Sequence, residues 1–272
     1  IGPPSPKDSY LNIPRIIAAA EITDSEAIHP GYGFLAENSE FAEICTESNL
    51  IFIGPTAEMI SAMGNKSSAK ENMKKIGVPV IPGSDGTVKD LEEAIKVCDK
   101  IGYPIMLKAS AGGGGKGMRI VREKSRLETA YTLAKSEALS AFGNDDMYIE
   151  KFIEHPRHIE IPIFGDSYGR VLPLMERDCT VQRRQQKLIE ETPSPFINDE
   201  IRARMSETAE KVARSINYLN GGTVEFIVDK DFNFYFMEMN TRVQVEHTVT
   251  EMLTNHDSIK EQINIADGKR IS

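Results

Sequence analysis

Two hundred and seventy-two residues suit about two domains, and a chain that is 40% hydrophobic and 27% charged has enough apolar mass to bury a core. Lysine and arginine number 32 against 41 acidic residues, and the net charge of −9 argues against general binding of nucleic acid or anionic membrane. No apolar run approaches the roughly 18 residues of a spanning helix, and the N-terminus lacks a basic-then-apolar secretory pattern. Cys45, Cys98 and Cys179 have no metal-ligand spacing. Cys98 falls on the apolar side of Leu91-Ala94-Ile95-Cys98-Ile101, which reads as a buried thiol in a reducing compartment. The expected location is the cytoplasm, or an organelle if the source is eukaryotic.

Residues 1–64 alternate helix-like stretches with short apolar runs. Ala27-Ile28 and Ile51-Phe52-Ile53 read as buried strands, each followed by a Pro/Gly turn, with Phe41, Ile44 and Cys45 at helical spacing between them. Such a unit belongs to a parallel α/β layer. Two strands are too few for an independent sheet, so further strands are expected outside the chain. The opening Ile1-Gly2-Pro3-Pro4 and the stop shortly after Gly268 also read as the ends of a fragment.

A helix is expected from Lys66 to Ile76, closed by Gly77 and Pro79. Ile105 to Ala109 and Met118 to Val121 read as strands around a glycine run. A helix over about 125–141 and a strand at Met147-Tyr148-Ile149 follow. Residues 80–153 therefore read as a lid-sized α+β unit. Beyond it, 158–164 and 170–175 alternate as strands, with Pro162 expected to interrupt the first. Asn198 is the expected N-cap of a helix whose apolar face is Ile201, Met205, Ala209, Val212 and Ile216, ended by Asn220-Gly221-Gly222. Strands from Thr223 to Val228 and Asn233 to Glu238 then flank the loop Asp229-Lys230-Asp231-Phe232.

Gly112 to Gly117 hold five glycines and one lysine. Without Cβ atoms, successive backbone N–H groups can turn inward together onto a polyphosphate, and Lys116 and Lys108 would add charge. The strand–loop–strand setting disfavours a dinucleotide fingerprint, which needs a following helix. Gly117 after Lys116 excludes a P-loop, and no kinase catalytic motif follows. The alternative is a plain hairpin tip.

From 238 to 246 every even position is polar: Glu238, Asn240, Arg242, Gln244 and Glu246. In an extended chain these share one face. With a four-residue loop at 229–232, Val228 opposes Asn233 and Glu225 opposes Phe236, which sets Glu225 diagonal to Glu238 on that face. Glu225, Glu238 and the Asn240 amide are hard oxygen ligands that suit Mg²⁺ or Mn²⁺, and a thiol-free, His-poor set disfavours zinc. Arg242 could grip a small planar anion. The alternative is an amphipathic edge strand with a solvated polar face.

The segment from Glu176 to Lys187 carries four cations against two acids in an acidic chain. It is either a local anion site or a surface charge run. No aromatics interleave as a nucleic-acid patch would require. His158 and His29 are ambiguous on their own.

With these residues in hand, the sequence resembles the biotin carboxylase component of biotin-dependent carboxylases, within the ATP-grasp superfamily. The matching stretches are His29-Pro-Gly-Tyr-Gly-Phe-Leu-Ala-Glu-Asn38, Met63-Gly-Asn-Lys66, Ile105 to Met118, Glu150-Lys-Phe-Ile153, Pro156-Arg-His-Ile-Glu160, Glu176 to Arg184, and Phe236 to His247, in the family's order. The resemblance implies an α+β ATP-grasp fold over 65–272, with a lid subdomain at about 80–153. Ahead of it, residues 1–64 would be part of an α/β, Rossmann-like pre-ATP-grasp domain, and both family ends would be lacking.

It further implies that Lys66, Lys108 and the Gly114–Gly115 backbone hold ATP phosphates under a closing glycine hairpin. Glu150, Lys151, Phe152 and Ile153 would contact adenine, and His158 and Gln185 the ribose side. Glu225, Glu238 and Asn240 would carry two Mg²⁺ or Mn²⁺ ions. Lys187, Arg242 and Val245 would bind bicarbonate, with Glu246 as the base that deprotonates it. The implied reaction makes carboxyphosphate and then carboxylates biotin on a carrier, most simply as the first half of acetyl-CoA carboxylase in fatty acid biosynthesis. Pyruvate or propionyl-CoA carboxylase, or a nucleotide-binding regulatory module without turnover, are the alternatives. The implied partners are a biotin carboxyl carrier protein or domain, a carboxyltransferase and a second copy in a homodimer. No nucleic acid or membrane partner is implied. The sequence departs from the family at Gln185, where members often have His, and at Thr248, where a proline is common.

Overall fold

In the computed structural model, residues 1–64, 66–110, 117–183 and 186–272 are described, without the side chains of Lys66, Ser67 and Phe142. The chain divides into two compact units, Ile1–Pro79 with Arg157–Ser272, and Val80–Pro156.

The first unit opens with helix α1 (Ile13–Ile22), capped where Asn12 accepts the Arg15 N–H. Strands β1 (Ala27–Ile28) and β2 (Ile51–Phe52) pair in parallel around helix α2 (Ser39–Glu47). Asn38 caps α2 by accepting the Phe41 N–H at 2.7 Å. Phe41 and Cys45 are buried with Ile17, Leu35 and Leu50, as the helical spacing requires. Helices α3 (Ala57–Gly64) and α4 (Lys66–Lys75) follow.

In the second unit, helix α5 (Leu91–Ile101) starts at Asp90, which accepts the Glu93 N–H. Strands β3 (Ile105–Ala109) and β4 (Met118–Val121), helix α6 (Leu127–Phe142) and strand β5 (Met147–Lys151) complete it. The sheet order is β4-β3-β5, antiparallel throughout. Ile105, Leu107 and Ala109 alternate inward and pack with Ala94, Cys98, Leu127, Ala134 and Ala138. Cys98 is fully buried, on the side its spacing indicates.

The rest of the first unit is built on strands β6 (Arg157–Gly165), β7 (Val171–Pro173), β8 (Arg177–Arg183) and β9 (Gln186–Glu191), helix α7 (Asp199–Ser215), strands β10 (Asn220–Val228) and β11 (Phe234–Asn240), and helices α8 (His247–Thr254) and α9 (Ser258–Ala266). The sheet runs β11-β10-β6-β8-β9, with β7 also on β6. Ile159, Ile161, Ile163, Val224, Phe226 and Phe236 are fully buried on its apolar face. Helix α7, capped by Asn198, lies against β6 and β7 and buries Ile201, Met205, Ala209 and Val212. Burial at this scale is the main stabilisation of the unit, at about 25 cal/mol per Å² of apolar surface.

Two expectations are corrected here. Pro162 does not interrupt its strand: β6 continues through it, opposite Thr223 of β10. The Pro162 carbonyl accepts the Leu174 N–H, so the missing N–H faces the edge where the neighbour of β6 changes from β8 to β7. Asn220-Gly221-Gly222 does not end α7 but opens β10. Its glycines answer to packing, because a Cβ on Gly222 would lie 2.5 Å from the buried Tyr218 hydroxyl.

Candidate active site

The β10–β11 hairpin differs from the expected register in two ways. Asp229 Oδ1 accepts the N–H groups of Asp231 and Asn233, which closes a five-residue loop and sets Val228 opposite Phe234. A bulge then leaves Met237 as the extra residue and brings Glu225 directly opposite Glu238, not diagonal to it. Glu225 also faces Glu160 on β6, and Glu160 faces Arg177 on β8. Three acids and one arginine thus form a row across four strands. Like charges placed opposite one another are costly unless a cation intervenes.

That cation is Lys187 on β9. Its Nζ donates to Glu160 Oε2 at 2.6 Å, to Glu225 Oε1 at 3.3 Å and to Glu246 Oε1 at 2.5 Å. Arg177, almost completely buried, donates from Nε to Glu160 Oε1 at 2.6 Å. Its outer nitrogens reach Thr250 Oγ1 and Gln244 Oε1. Asn240 Nδ2 and Gln244 Nε2 both donate to Glu225 Oε1, at 2.7 and 2.9 Å. His158 Nε2 lies 3.0 Å from Glu225 Oε2. The segment around Glu176 to Lys187, left open as a surface charge run or an anion site, is a hairpin that turns two of its cations into this cluster.

Burial opposes ionisation of Glu225, but the neighbouring His158 ring and Lys187 ammonium outweigh it and hold its carboxyl down to about 2. Glu246 is likewise lowered: burial works against the carboxylate, and Lys187 overcomes it. Glu246 also immediately precedes α8, where the helix N-terminus favours negative charge. Burial lowers the affinity of Lys187 for its proton, yet Glu160 and Glu225 reverse this and push its pKa well above the ordinary value.

The even-numbered stripe is not one extended strand. β11 ends at Asn240, and 241–246 bend into α8. Just past the strand's end the Thr241 N–H donates to Glu37 Oε1 at 3.0 Å. Arg242 donates from Nε to Glu37 Oε2 at 2.8 Å and from an outer nitrogen to Asn240 Oδ1 at 3.1 Å. Gln244 and Glu246 still reach the cluster, whereas Val245 is 61% exposed. Thr248 is exposed in the first turn of α8, where proline and threonine are both tolerated.

In the second unit, Lys108 on β3 pairs with Glu150 on β5. Lys151 Nζ donates to the carbonyls of Gly102 and Tyr103, and Arg122 sits over the Phe152 ring at 5.9 Å. Ile153 is half-buried. Gly114, Gly115, Lys116, Gln185 and the Lys66 side chain lie outside the described residues.

Among the described residues, the groups of possible ligand atoms lying within 4.8 Å of one another are His158-Glu160-Glu225 and Glu160-Cys179-Glu246. Glu238, directly opposite Glu225 on the hairpin, and Asn240, whose Nδ2 donates to Glu225 Oε1, adjoin the first of these groups. Cys179 lies in the second of these groups, outside the expected thiol-free set, and burial raises that thiol far above its ordinary pKa. Sequence reasoning gave no role to Glu160, Arg177 or Glu37. Glu160 shares its two-residue period with His158, the one signal that could have found it. No helix among the described residues is long and apolar enough to cross a membrane.

Residues 65–272 match the family described as carbamoyl-phosphate synthase L chain, ATP binding domain, and residues 1–60 match biotin carboxylase, N-terminal domain. The biotin carboxylase of Nostoc sp. is 56% identical over 271 residues, covering 100% of this chain and 61% of that protein. The crystal structure of a Campylobacter jejuni biotin carboxylase–β-γ-ATP complex superposes with a TM-score of 0.85 at 55% identity, over 97% of this chain and 59% of that one. A Hydrogenobacter thermophilus 2-oxoglutarate carboxylase biotin carboxylase domain, in complex with MgADP, ADP and bicarbonate, gives 0.83 at 52% identity, over 98% and 59%. The chain therefore spans about three-fifths of each of these three relatives. With an ATP-binding domain of the carbamoyl-phosphate synthase L chain type following a biotin carboxylase N-terminal domain, the chain belongs to the biotin carboxylase family of ATP-grasp proteins.

Proposed function

We propose that the chain supplies the ATP- and bicarbonate-binding part of a ligase that carboxylates biotin on a carrier protein. The observation that carries this reading is Lys187, whose ammonium joins Glu246, the assigned base, to Glu225, an assigned metal ligand. Simple nucleotide binding has no need of that arrangement.

Glu246, kept ionised by Lys187 and by the start of α8, takes the bicarbonate proton. Arg242 and Lys187 hold the resulting oxyanion. One of its oxygens attacks the γ-phosphorus of ATP, an O–P bond forms, the bond to the β-phosphate oxygen breaks, and ADP leaves. The carboxyl carbon of carboxyphosphate then bonds to biotin N1 as its bond to the phosphate oxygen breaks, and the departing phosphate takes the N1 proton. We assign Lys66, Lys108, Gly114 and Gly115 to the phosphates, Glu150, Lys151, Phe152 and Ile153 to adenine, His158 and Gln185 to the ribose, and Val245 to bicarbonate.

The donor set fits a divalent cation. Glu225 and Glu238 are cross-strand neighbours, and Asn240 already touches Glu225. Among the described residues, the buried carboxylates Glu160, Glu225 and Glu246 also outnumber Lys187 and Arg177, an excess of negative charge that a cation would offset. Mg²⁺ or Mn²⁺, as one ion or two, would be held by Glu225, Glu238 and Asn240 and would offset charge on the phosphate oxygens.

The proposed setting is cytoplasmic. The partners are a biotin carboxyl carrier, a carboxyltransferase and a second copy of the chain, with acetyl-CoA as final acceptor. The test is bicarbonate-dependent ADP release and biotin carboxylation by the whole gene product. ATP binding without bicarbonate-dependent ADP release would make it a nucleotide-binding module instead.

A further inference from the structure

We infer that Glu37 is a positioning residue: it fixes the Arg242 guanidinium in the orientation that receives the small oxyanion. The inference rests on the functional reading above in taking that anion to be bicarbonate.

Glu37 lies just ahead of α2, 205 residues from Arg242 in sequence. Its two oxygens serve consecutive residues. Oε1 accepts the Thr241 N–H at 3.0 Å and the Thr241 hydroxyl at 3.4 Å, while Oε2 accepts the Arg242 Nε–H at 2.8 Å. One carboxylate thereby holds both the backbone where β11 ends and the inner nitrogen of the side chain. The outer nitrogens donate to Asn240 Oδ1 at 3.1 Å and to the Val243 carbonyl at 3.2 Å.

These bonds use three of the five guanidinium N–H groups and leave one on each outer nitrogen. Two such donors match two oxygens of a planar anion. An arginine kept for charge alone would be better without an acid beside it, since Glu37 subtracts from its pull on an anion. The pairing therefore makes sense as aim. A purely structural role is the weaker explanation, because the Glu37 side chain is 40% exposed and ion pairs of that kind add little stability.

The experiment measures bicarbonate-dependent ADP release by the whole gene product carrying Glu37→Ala, Glu37→Asp, Arg242→Ala, or Glu37→Ala with Arg242→Ala. Glu37→Ala is expected to raise KM for bicarbonate about tenfold, with KM for ATP within about twofold. Glu37→Asp should recover part of the loss, and Glu37→Ala should add nothing in the Arg242→Ala background. An unchanged bicarbonate KM, or effects of Glu37 and Arg242 that simply multiply, would overturn the inference and leave the functional reading intact. Absence of bicarbonate-dependent turnover in the unsubstituted protein would overturn both.

Discussion

Glu160 divides its carboxylate between two cations, with Arg177 Nε 2.6 Å from one oxygen and Lys187 Nζ 2.6 Å from the other. The acid is fully buried, and Arg177 draws on it directly, whereas Lys187 also reaches Glu225 and Glu246. Glu160→Gln leaves Arg177 short of its counter-charge and is expected to cost about 3 kcal/mol, read from urea unfolding. A loss within about 0.5 kcal/mol, the range of ordinary surface substitutions, would show that the row of strands does not rely on this charge.

Glu246→Gln keeps the shape of the side chain and removes the proposed base. Bicarbonate-dependent ADP release should fall about 10²-fold or more, while ATP affinity stays within about twofold. Isothermal titration with ATP separates the two effects, and a comparable loss of ATP affinity would assign the residue elsewhere.

The carboxyl of Glu225 is held at about 2, below the ordinary 4.5, so its contribution to stability is fully present above about pH 4.5 and is lost as pH falls toward 2. Unfolding free energy measured across that window should fall more steeply for the unsubstituted protein than for Glu225→Gln. Parallel curves would show that the carboxylate is not ionised preferentially in the folded state.

Burial pushes the Cys45 and Cys98 thiols up to about 11. At pH 8 only about one in a thousand of either is thiolate, and neither is accessible. Ellman's reagent should therefore label both at the rate of unfolding. Fast labelling of either in the native protein would contradict their placement.

The fold was legible wherever local chemistry sufficed. Asn198 caps its helix, Phe41 and Cys45 bury at helical spacing, and Ile105 to Ala109 alternates as a strand should. Glu225 and Glu238 were identifiable as same-face acids, but their register turned on the Asp229 side chain and a bulge, neither of which alternation encodes. Gln244 and Glu246 reach the cluster through a turn, so their even spacing was right for the wrong reason. Arg177 looked like part of a charge run because nothing local distinguishes a solvated arginine from one met by Glu160. Glu37 belongs to a segment whose partner lies 205 residues on, a relationship only tertiary structure creates.

The β8–β9 hairpin meets β6 through Ile159 opposite Asp178 and Glu160 opposite Arg177, after which Pro162 leaves no N–H for that edge. So short a seam means that side-chain charge, more than the backbone ladder, pins the arm bearing Lys187. Amide protons of β9 should then exchange with solvent sooner than those of β10, and substrate anions drawing on Lys187 would tug the whole arm rather than one side chain.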